Sequence, residues 1–291
     1  MIPNQIRTSI FVSVIIPTYD DWNRLKKCLT ALSNQTYPKE KFEVIIVNNH
    51  PTDNIPEFIK CYRYKIYREK KRGSYSARNK GLSKAKGDVI AFTDSDCIPD
   101  FLWLEKAVSR FNEGCQRLAG NINIFPRSKR PKIAELYDMT FGFDQEIASK
   151  TGLSVTANMF ALSSLFKKYG TFNDSLFSGG DTEWSRRLVR QDINIVYAPE
   201  VIVCHPAREN LKDLFKKRRR VSAKKSIGKN TISNISVKAL PDRYWKRFHF
   251  LFFKKKYYVK GIAVVVLAIL LKLYSKFIKI LFKLNFLSSS N

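Results

Sequence analysis

The strongest constraint on the fold of this chain is an alternation that runs from its start to Asn112. Short, mainly apolar, β-rich runs are separated by segments whose apolar residues recur at helical spacing. Val12–Pro17, Phe42–Val47 and Asp88–Thr93 predict buried strands, and Tyr64–Tyr67 predicts a shorter one. Between them, Leu25, Cys28, Leu29 and Leu32 predict a helix that Asn34 ends. Further helices are predicted over Ser74–Ala85 and Phe101–Asn112. Strands that are apolar on both faces, alternating with helices, imply an α/β fold with a mostly parallel sheet covered on both sides.

In open sheets of this kind, ligands bind beyond the carboxyl ends of the strands. The residues expected there are Tyr19, Asp20 and Asp21 after the first strand, Asn48 and Asn49 after the second, and Asp94-Ser95-Asp96 after the fourth. Two carboxylates spaced two apart suit a hard divalent cation shared with a diphosphate, Mg²⁺ or Mn²⁺ by ligand preference. An Asp-rich turn ahead of Pro99 satisfies the same local pattern. Neither GxGxxG nor GxxxxGK[ST] occurs, so a dinucleotide fingerprint and a P-loop are excluded.

The charge is lopsided. From Arg208 onward the chain carries 22 Lys+Arg and 3 Asp+Glu, whereas the preceding 207 residues have a net charge of only +8 out of a total of +27. A basic tail of this strength calls for a polyanion, either nucleic acid or an anionic membrane surface. The apolar run Gly261–Leu271, bounded by Lys260 and Lys272, is too short to span a bilayer alone. Lys272, Lys276, Lys279 and Lys283 follow on one helical stripe of about 60°. Aromatic–basic clusters at Tyr244–Phe250 and Phe252–Tyr258 suit the headgroup level. A nucleic-acid arm has no need of the apolar helix, so membrane association is favoured over nucleic acid, with packing on a protein partner as the third reading. Five cysteines without a CxxC pair exclude a disulfide scaffold or zinc ribbon and fit a reducing compartment. The apolar run Ile10–Pro17 lacks the charged lead and cleavage site of a signal peptide, which places the body on the cytoplasmic face.

Seven strings in order carry a family resemblance: Val12–Tyr19 with Gln35–Pro38; Glu43–Asn49; Ala77–Gly81; Gly87–Asp96; Thr156–Met159 with Gly170–Asn173; Gly179–Trp184 with Arg187; and Tyr197–Pro199 running to His205–Arg208. Together they resemble the inverting glycosyltransferases of family 2, with the GT-A fold, of a bacterial, membrane-associated type. The resemblance implies a glycosyltransferase domain over 1–220, with a donor half to about 120 and an acceptor half after it, followed by a membrane-associating tail over 221–291. It implies a sugar moved from a nucleoside-diphosphate donor, UDP favoured, to the hydroxyl of a glycan or lipid-linked acceptor in surface polysaccharide or glycolipid assembly. Pro17, Tyr19, Asn48, Arg78, Asp94, Ser95, Asp96 and Arg208 would bind the donor, with Lys216–Arg220 also near the diphosphate. Asp94, Asp96 and His205 would hold Mn²⁺ or Mg²⁺. Asp181 would be the general base, and Glu183 and Trp184 would border the acceptor.

Each role has a plainer counterpart in the sequence. Asp181 also fits a helix N-cap, Trp184 a core position, His205 a structural loop residue, and Arg218–Arg220 a solvated charge run. Asn48 stands where the family commonly has Asp, Gly180 where it often has Glu, and Phe160–Ser163 where an Arg is common. Those departures leave open a catalytically degenerate nucleotide-sugar-binding scaffold at the membrane.

Overall fold

The structure, a computed structural model, describes residues 10–50, 55–62, 64–224, 249 and 257–288. In chain order its elements begin with β1 (Val12–Thr18), α1 (Trp22–Ser33), β2 (Phe42–Asn48), α2 (Glu57–Lys60), β3 (Lys65–Arg68) and α3 (Ser74–Leu82). There follow β4 (Val89–Thr93), β5 (Ile98–Pro99), α4 (Trp103–Asn112), β6 (Arg117–Phe125), α5 (Ile133–Phe141) and α6 (Gln145–Lys150). The remainder is β7 (Asn158–Leu162), α7 (Ser163–Tyr169), α8 (Gly180–Val189), β8 (Val196–Pro206), α9 (Leu211–Lys224) and α10 (Tyr258–Ser288).

The expected strands are present, with β3 one residue later than predicted. Two helices are shorter than their apolar pattern. The third helix gives way to a turn after Leu82 instead of reaching Ala85, and α4 starts at Trp103 because residues 101 and 102 form a turn. Among the described residues, eight strands form one sheet in the order β3-β2-β1-β4-β7-β6-β8-β5. The β3-β2-β1-β4 half is parallel, as runs such as VSVIIP, buried on both faces, require. Beyond β4 the direction reverses: β7 lies antiparallel to β4 and β6 antiparallel to β7, so the whole sheet is mixed. Register sets the site. In the β1–β2 ladder Thr18 lies beside Asn48, so both strands stop at the same level.

The chain divides into two compact units. The first comprises residues up to Asn123 together with Asp144–His205, and the second Ile124–Phe143 with Pro206 onward. Within the first unit, Ile15, Ile45, Phe92, Met159, Phe166, Phe172 and Trp184 belong to one buried cluster. Each such large side chain, fully buried, contributes about 1.5–3 kcal/mol to folding.

Within the second unit, Leu136 and Tyr137 of α5 and Leu214 of α9 pack with Val264, Leu267 and Leu271 of α10. The packed residues of α10 recur at i, i+3 and i+7, which makes one helical stripe. Ile262, Val266, Ile269, Leu270, Leu273 and Phe277, on other faces, stay exposed. The stretch Lys260–Leu281, 22 residues, is long and apolar enough to cross or anchor in a bilayer. Helical structure therefore runs through Lys272, beyond the eleven-residue run that the sequence isolates. The aromatic–basic clusters lie outside the described residues, apart from His249, Tyr257 and Tyr258.

Candidate active site

The strand ends of the first unit deliver a connected set of polar side chains. After β1, Tyr19 is 45% exposed, and its ring meets His50 edge-on with centroids 4.8 Å apart. The Arg72 guanidinium lies 5.7 Å from the same ring. Pro17 is the penultimate residue of β1 and is partly buried. Asn48 is buried at the end of β2, and its Oδ1 accepts a hydrogen bond from the His50 backbone N–H at 3.0 Å. Asn49 serves the fold itself. Its amide donates to the carbonyls of Glu69 and Lys71 at 2.8 Å each, fastening the loop after β3.

The Asp94-Ser95-Asp96 turn is tied to both neighbouring elements. Arg78, buried on α3, donates to Asp94 Oδ1 at 2.5 Å. Its Nε is also buried and has no partner among the described residues. Ser95 donates to Asp21 at 3.2 Å, and the other oxygen of Asp21 accepts from Arg24 at 2.6 Å. Arg24 also reaches within 3.6 Å of Asp96. From the end of β8, buried His205 places Nε2 3.5 Å from Asp96 Oδ1. Burial holds the Asp96 carboxyl above the usual range and outweighs the attraction of His205, while Asp94 adds repulsion. Carboxylates so placed favour a compensating cation.

Among the described residues no three His, Cys, Asp or Glu side chains form a ready metal cage. Asp96 supplies a hard oxygen that fits Mn²⁺ or Mg²⁺, and His205 an imidazole that Mn²⁺ accepts more readily than Mg²⁺; either ion keeps further positions for phosphate oxygens and water. The set suits a cation held jointly by protein and diphosphate. Asp94 is engaged by Arg78 and borders this pair.

Asp181 is the second residue of α8, whose N-cap is Gly179 at φ +69°, so the N-cap reading of Asp181 is not what the structure shows. Asp181 is 8% exposed. Its Oδ1 accepts from the Tyr75 hydroxyl at 3.0 Å and from the Thr182 backbone N–H at 2.8 Å. Gly180 lies against the Tyr75 ring, where a Cβ would come within 2.9 Å of ring carbon. The glycine that seemed a departure in the sequence thus makes room for the residue that orients the carboxylate. Burial, and then the Asp181 charge, push the Tyr75 hydroxyl well above its ordinary range, so it remains a donor.

Trp184 is a correction. Expected to border an acceptor, it is fully buried, stacked on Phe166 with centroids 4.3 Å apart and covered by the Arg117 guanidinium at 5.5 Å. Its indole N–H donates to the Gly170 carbonyl, so no ring face is left for a sugar. Glu183 remains partly exposed but pairs with Arg187 at 2.9 Å, and Arg187 in turn binds the carbonyls of Tyr169 and Thr171. Arg208 belongs to the second unit, where it pairs with Asp138 at 2.9 Å.

Two residues of the site do not stand out in the sequence. Arg24 had a signal, lying one turn after Asp21 on the first turn of a predicted helix. Tyr75 had none, being separated from Asp181 by 106 positions.

The glycosyl transferase family 2 model matches residues 13–170, more than half of the chain. This chain belongs to glycosyl transferase family 2. Among its relatives, glycosyltransferase AglE of Haloferax volcanii is 36% identical over 219 residues, covering 72% of this chain and 71% of that one. A Methanococcus voltae enzyme, named as a dolichyl N-acetyl-alpha-D-glucosaminyl phosphate 3-beta-D-2,3-diacetamido-2,3-dideoxy-beta-D-glucuronosyltransferase, is 25% identical over 71% of this chain and 70% of its own length. Two solved structures share the fold. Staphylococcus aureus TarS 1–349 with UDP-GlcNAc matches with a TM-score of 0.56 at 20% identity, over 84% of this chain and 73% of that one. Mannosyltransferase PcManGT of Pyrobaculum calidifontis, with GDP-Man and Mn²⁺, matches with a TM-score of 0.55 at 17% identity, over 90% and 76%. The family 2 chain is a glycosyltransferase with a GT-A-like α/β fold, and its structural neighbours bind nucleotide sugars.

Proposed function

We propose that the chain is a metal-assisted, inverting transferase that moves a sugar from a nucleoside-diphosphate donor to an acceptor hydroxyl at a membrane surface. The observation that carries this reading is the pairing, within one unit, of two features. One is the Asp94-Ser95-Asp96 turn with His205 beside it, and the other is a buried carboxylate, Asp181, oriented by Tyr75. Tyr19, with its exposed ring, and Asn48 and Pro17 beside it at the strand ends, would receive the nucleobase. The unpartnered Nε of Arg78 offers a buried donor to a phosphate oxygen. Asp96 and His205, with Asp94 alongside, would hold Mn²⁺ or Mg²⁺, which as a Lewis acid lowers the charge of the departing nucleoside diphosphate.

Asp181 takes the proton of the acceptor hydroxyl as that oxygen bonds to the anomeric carbon and the bond from that carbon to the diphosphate oxygen breaks. Attack opposite the leaving group inverts the centre, and a base so placed contributes about 10²–10⁴-fold. Tyr75 fixes one carboxylate oxygen by donation and leaves the other for the incoming proton. Glu183, partly exposed on the same turn of helix, would border the acceptor. UDP-GlcNAc on one structural neighbour and GDP-Man on another support the donor class without choosing its base, and the dolichyl-linked substrate of the Methanococcus relative supports an acceptor of surface-glycan or glycolipid assembly. The exposed apolar face of α10 supports attachment to the membrane, and cysteine usage that fits a reducing compartment favours its cytoplasmic face.

Thermal denaturation of the full chain with UDP, GDP, dTDP or CMP, each with and without Mn²⁺, tests the reading. One nucleotide should stabilise the wild type in the presence of metal, by about 2.7 kcal/mol at 100 times its Kd, and should fail on Asp96→Ala. Stabilisation that ignores both metal and Asp96 would remove the assignment of the strand-end site.

A further inference from the structure

The second unit holds a cluster of cations that the transfer chemistry above does not use. On α9, Lys217 and Arg218 follow Leu214 by three and four residues, which places both beside the stripe that packs on α5. Lys217 Nζ lies 4.6 Å from the centre of the Phe143 ring and 3.8 Å from Asp138. The Arg208 guanidinium lies 5.5 Å from the same ring and bonds both oxygens of Asp138 at 2.9 Å. Arg218 donates to the Tyr137 hydroxyl. Asp138, 2% exposed, is the one carboxylate paired with these groups among the described residues. Two guanidinium groups and an amine against one carboxylate, with exposed Arg220 close by, leave the cluster short of negative charge.

The second observation is where that deficit lies. Helices α5 and α9, which carry Tyr137, Asp138, Lys217 and Arg218, both pack on α10, the helix with the exposed apolar face. That helix contains no Asp or Glu, so it offers the cluster no counter-ion. A free anion would need only the cations, and a neutral lipid only the apolar face. Both together fit an anion that is carried on a lipid.

The geometry points to Arg208, Lys217 and Arg218 as the seat of the phosphate or diphosphate of a lipid-linked acceptor, an assignment that rests on the transferase reading and names its acceptor class. Arg208 and Arg218 supply planar, multidentate donors that suit phosphate oxygens, and Lys217, beside the same Asp138 and Phe143 as Arg208, supplies a compact amine. Burial lowers Lys217 to about 7, helped by Arg208, Arg218 and Arg220 and opposed by Asp138. A phosphate oxygen beside it would reverse part of that cost and draw a proton onto the amine.

The test uses the full chain in neutral detergent micelles, with farnesyl diphosphate, inorganic pyrophosphate and farnesol as separate probes and binding read by titration. Farnesyl diphosphate should bind at least tenfold more tightly than either of the others. Lys217→Met combined with Arg218→Gln should weaken it at least tenfold, and phosphatidylserine micelles should not displace it. Lys217→Met replaces an enclosed amine with an apolar side chain of similar length, and Arg218→Gln alone is the second variant should the pair not fold. Equal binding of pyrophosphate would show an anion site that ignores the lipid, and equal binding of farnesol a site that ignores the phosphate. Displacement by phosphatidylserine would show a general anionic surface. Any of these, or undiminished binding in the variants, overturns the assignment. Stabilisation by nucleoside diphosphate and Mn²⁺, followed in the same samples, separates the two readings. If it persists while farnesyl diphosphate fails, the acceptor assignment alone falls; if it is absent from the wild type, the transferase reading falls by itself.

Discussion

Gly180, Tyr75 and Asp181 form a unit in which each residue explains the next. The glycine admits the ring, the ring presents its hydroxyl, and the hydroxyl fixes the carboxylate. Gly180→Ala should destabilise the chain by about 1–3 kcal/mol, the usual consequence of overpacking, measured as a lowered midpoint in denaturant. Tyr75→Phe keeps the ring and removes the donor. It should lower kcat about tenfold while leaving the donor KM unchanged, whereas a purely structural tyrosine would move stability alone. Asp181→Asn should lower turnover by 10²-fold or more and spare metal-dependent nucleotide stabilisation; full turnover in that variant would remove Asp181 as the base.

Lys217 belongs to the same scale and carries a pH signature. Its folded value of about 7 lies below the ordinary 10.5, lowered first by burial, then by Arg208, with Arg218 and Arg220 adding to it and Asp138 opposing. Between those two values the unfolded chain binds more protons than the folded one, so this group's contribution to stability rises as pH climbs through that window. Below about pH 7 the unfavourable contribution is at its full size. Lys217→Met should therefore raise the melting temperature more at pH 6.5 than at pH 10, and an equal gain at both would mean that the amine is well solvated.

The residue scale is also where sequence reading divides most clearly. The position of Asp94 and Asp96 beyond β4 was legible because the apolar run of that strand fixes where it ends. Trp184 was misread as an acceptor platform because an amphipathic helix shows an indole at one position without showing which face Phe166 will cover. Tyr75 was invisible because its partner comes from a distant helix.

At the scale of elements, legibility followed periodicity and burial. The parallel strands were readable because VIIP and VIIV within them are apolar at successive positions, and only a strand covered on both faces tolerates that. The antiparallel β7 was not, because its five residues, NMFAL, carry no signal of direction. Helix α10 was legible in composition but not in use. Its sequence shows a lysine stripe and apolar residues all round, and only packing tells that Val264, Leu267 and Leu271 serve the protein while Ile262, Ile269 and Phe277 do not.

That division makes a prediction for the element. Leu267→Asp places a charge in the apolar α5–α9–α10 cluster and should destabilise it by several kcal/mol, the cost of burying a charge among leucine and valine side chains. Ile269→Asp, two residues away on an exposed face, should leave the melting temperature nearly unchanged and reduce sedimentation with lipid vesicles. Equal destabilisation by the two substitutions would mean that the exposed face is packed in solution.

At the scale of the whole molecule, the two attractions to a membrane respond differently to salt. From Arg208 onward the net charge is +19, and its pull on an anionic surface is screened within about 10 Å at 0.1 M salt and about 3 Å at 1 M. The apolar face of α10 is not screened, because burial of hydrocarbon depends on area and not on charge. Flotation with phosphatidylglycerol vesicles should therefore weaken at least tenfold between about 0.05 and 1 M NaCl and level off above zero. The plateau should match flotation with phosphatidylcholine vesicles, which have no net charge to attract the tail. Ile269→Asp should lower the plateau without changing the salt-dependent part, since it leaves every lysine and arginine in place. A curve that falls to zero at 1 M would assign membrane binding to charge alone, and the exposed residues of α10 would then need a protein partner to account for them.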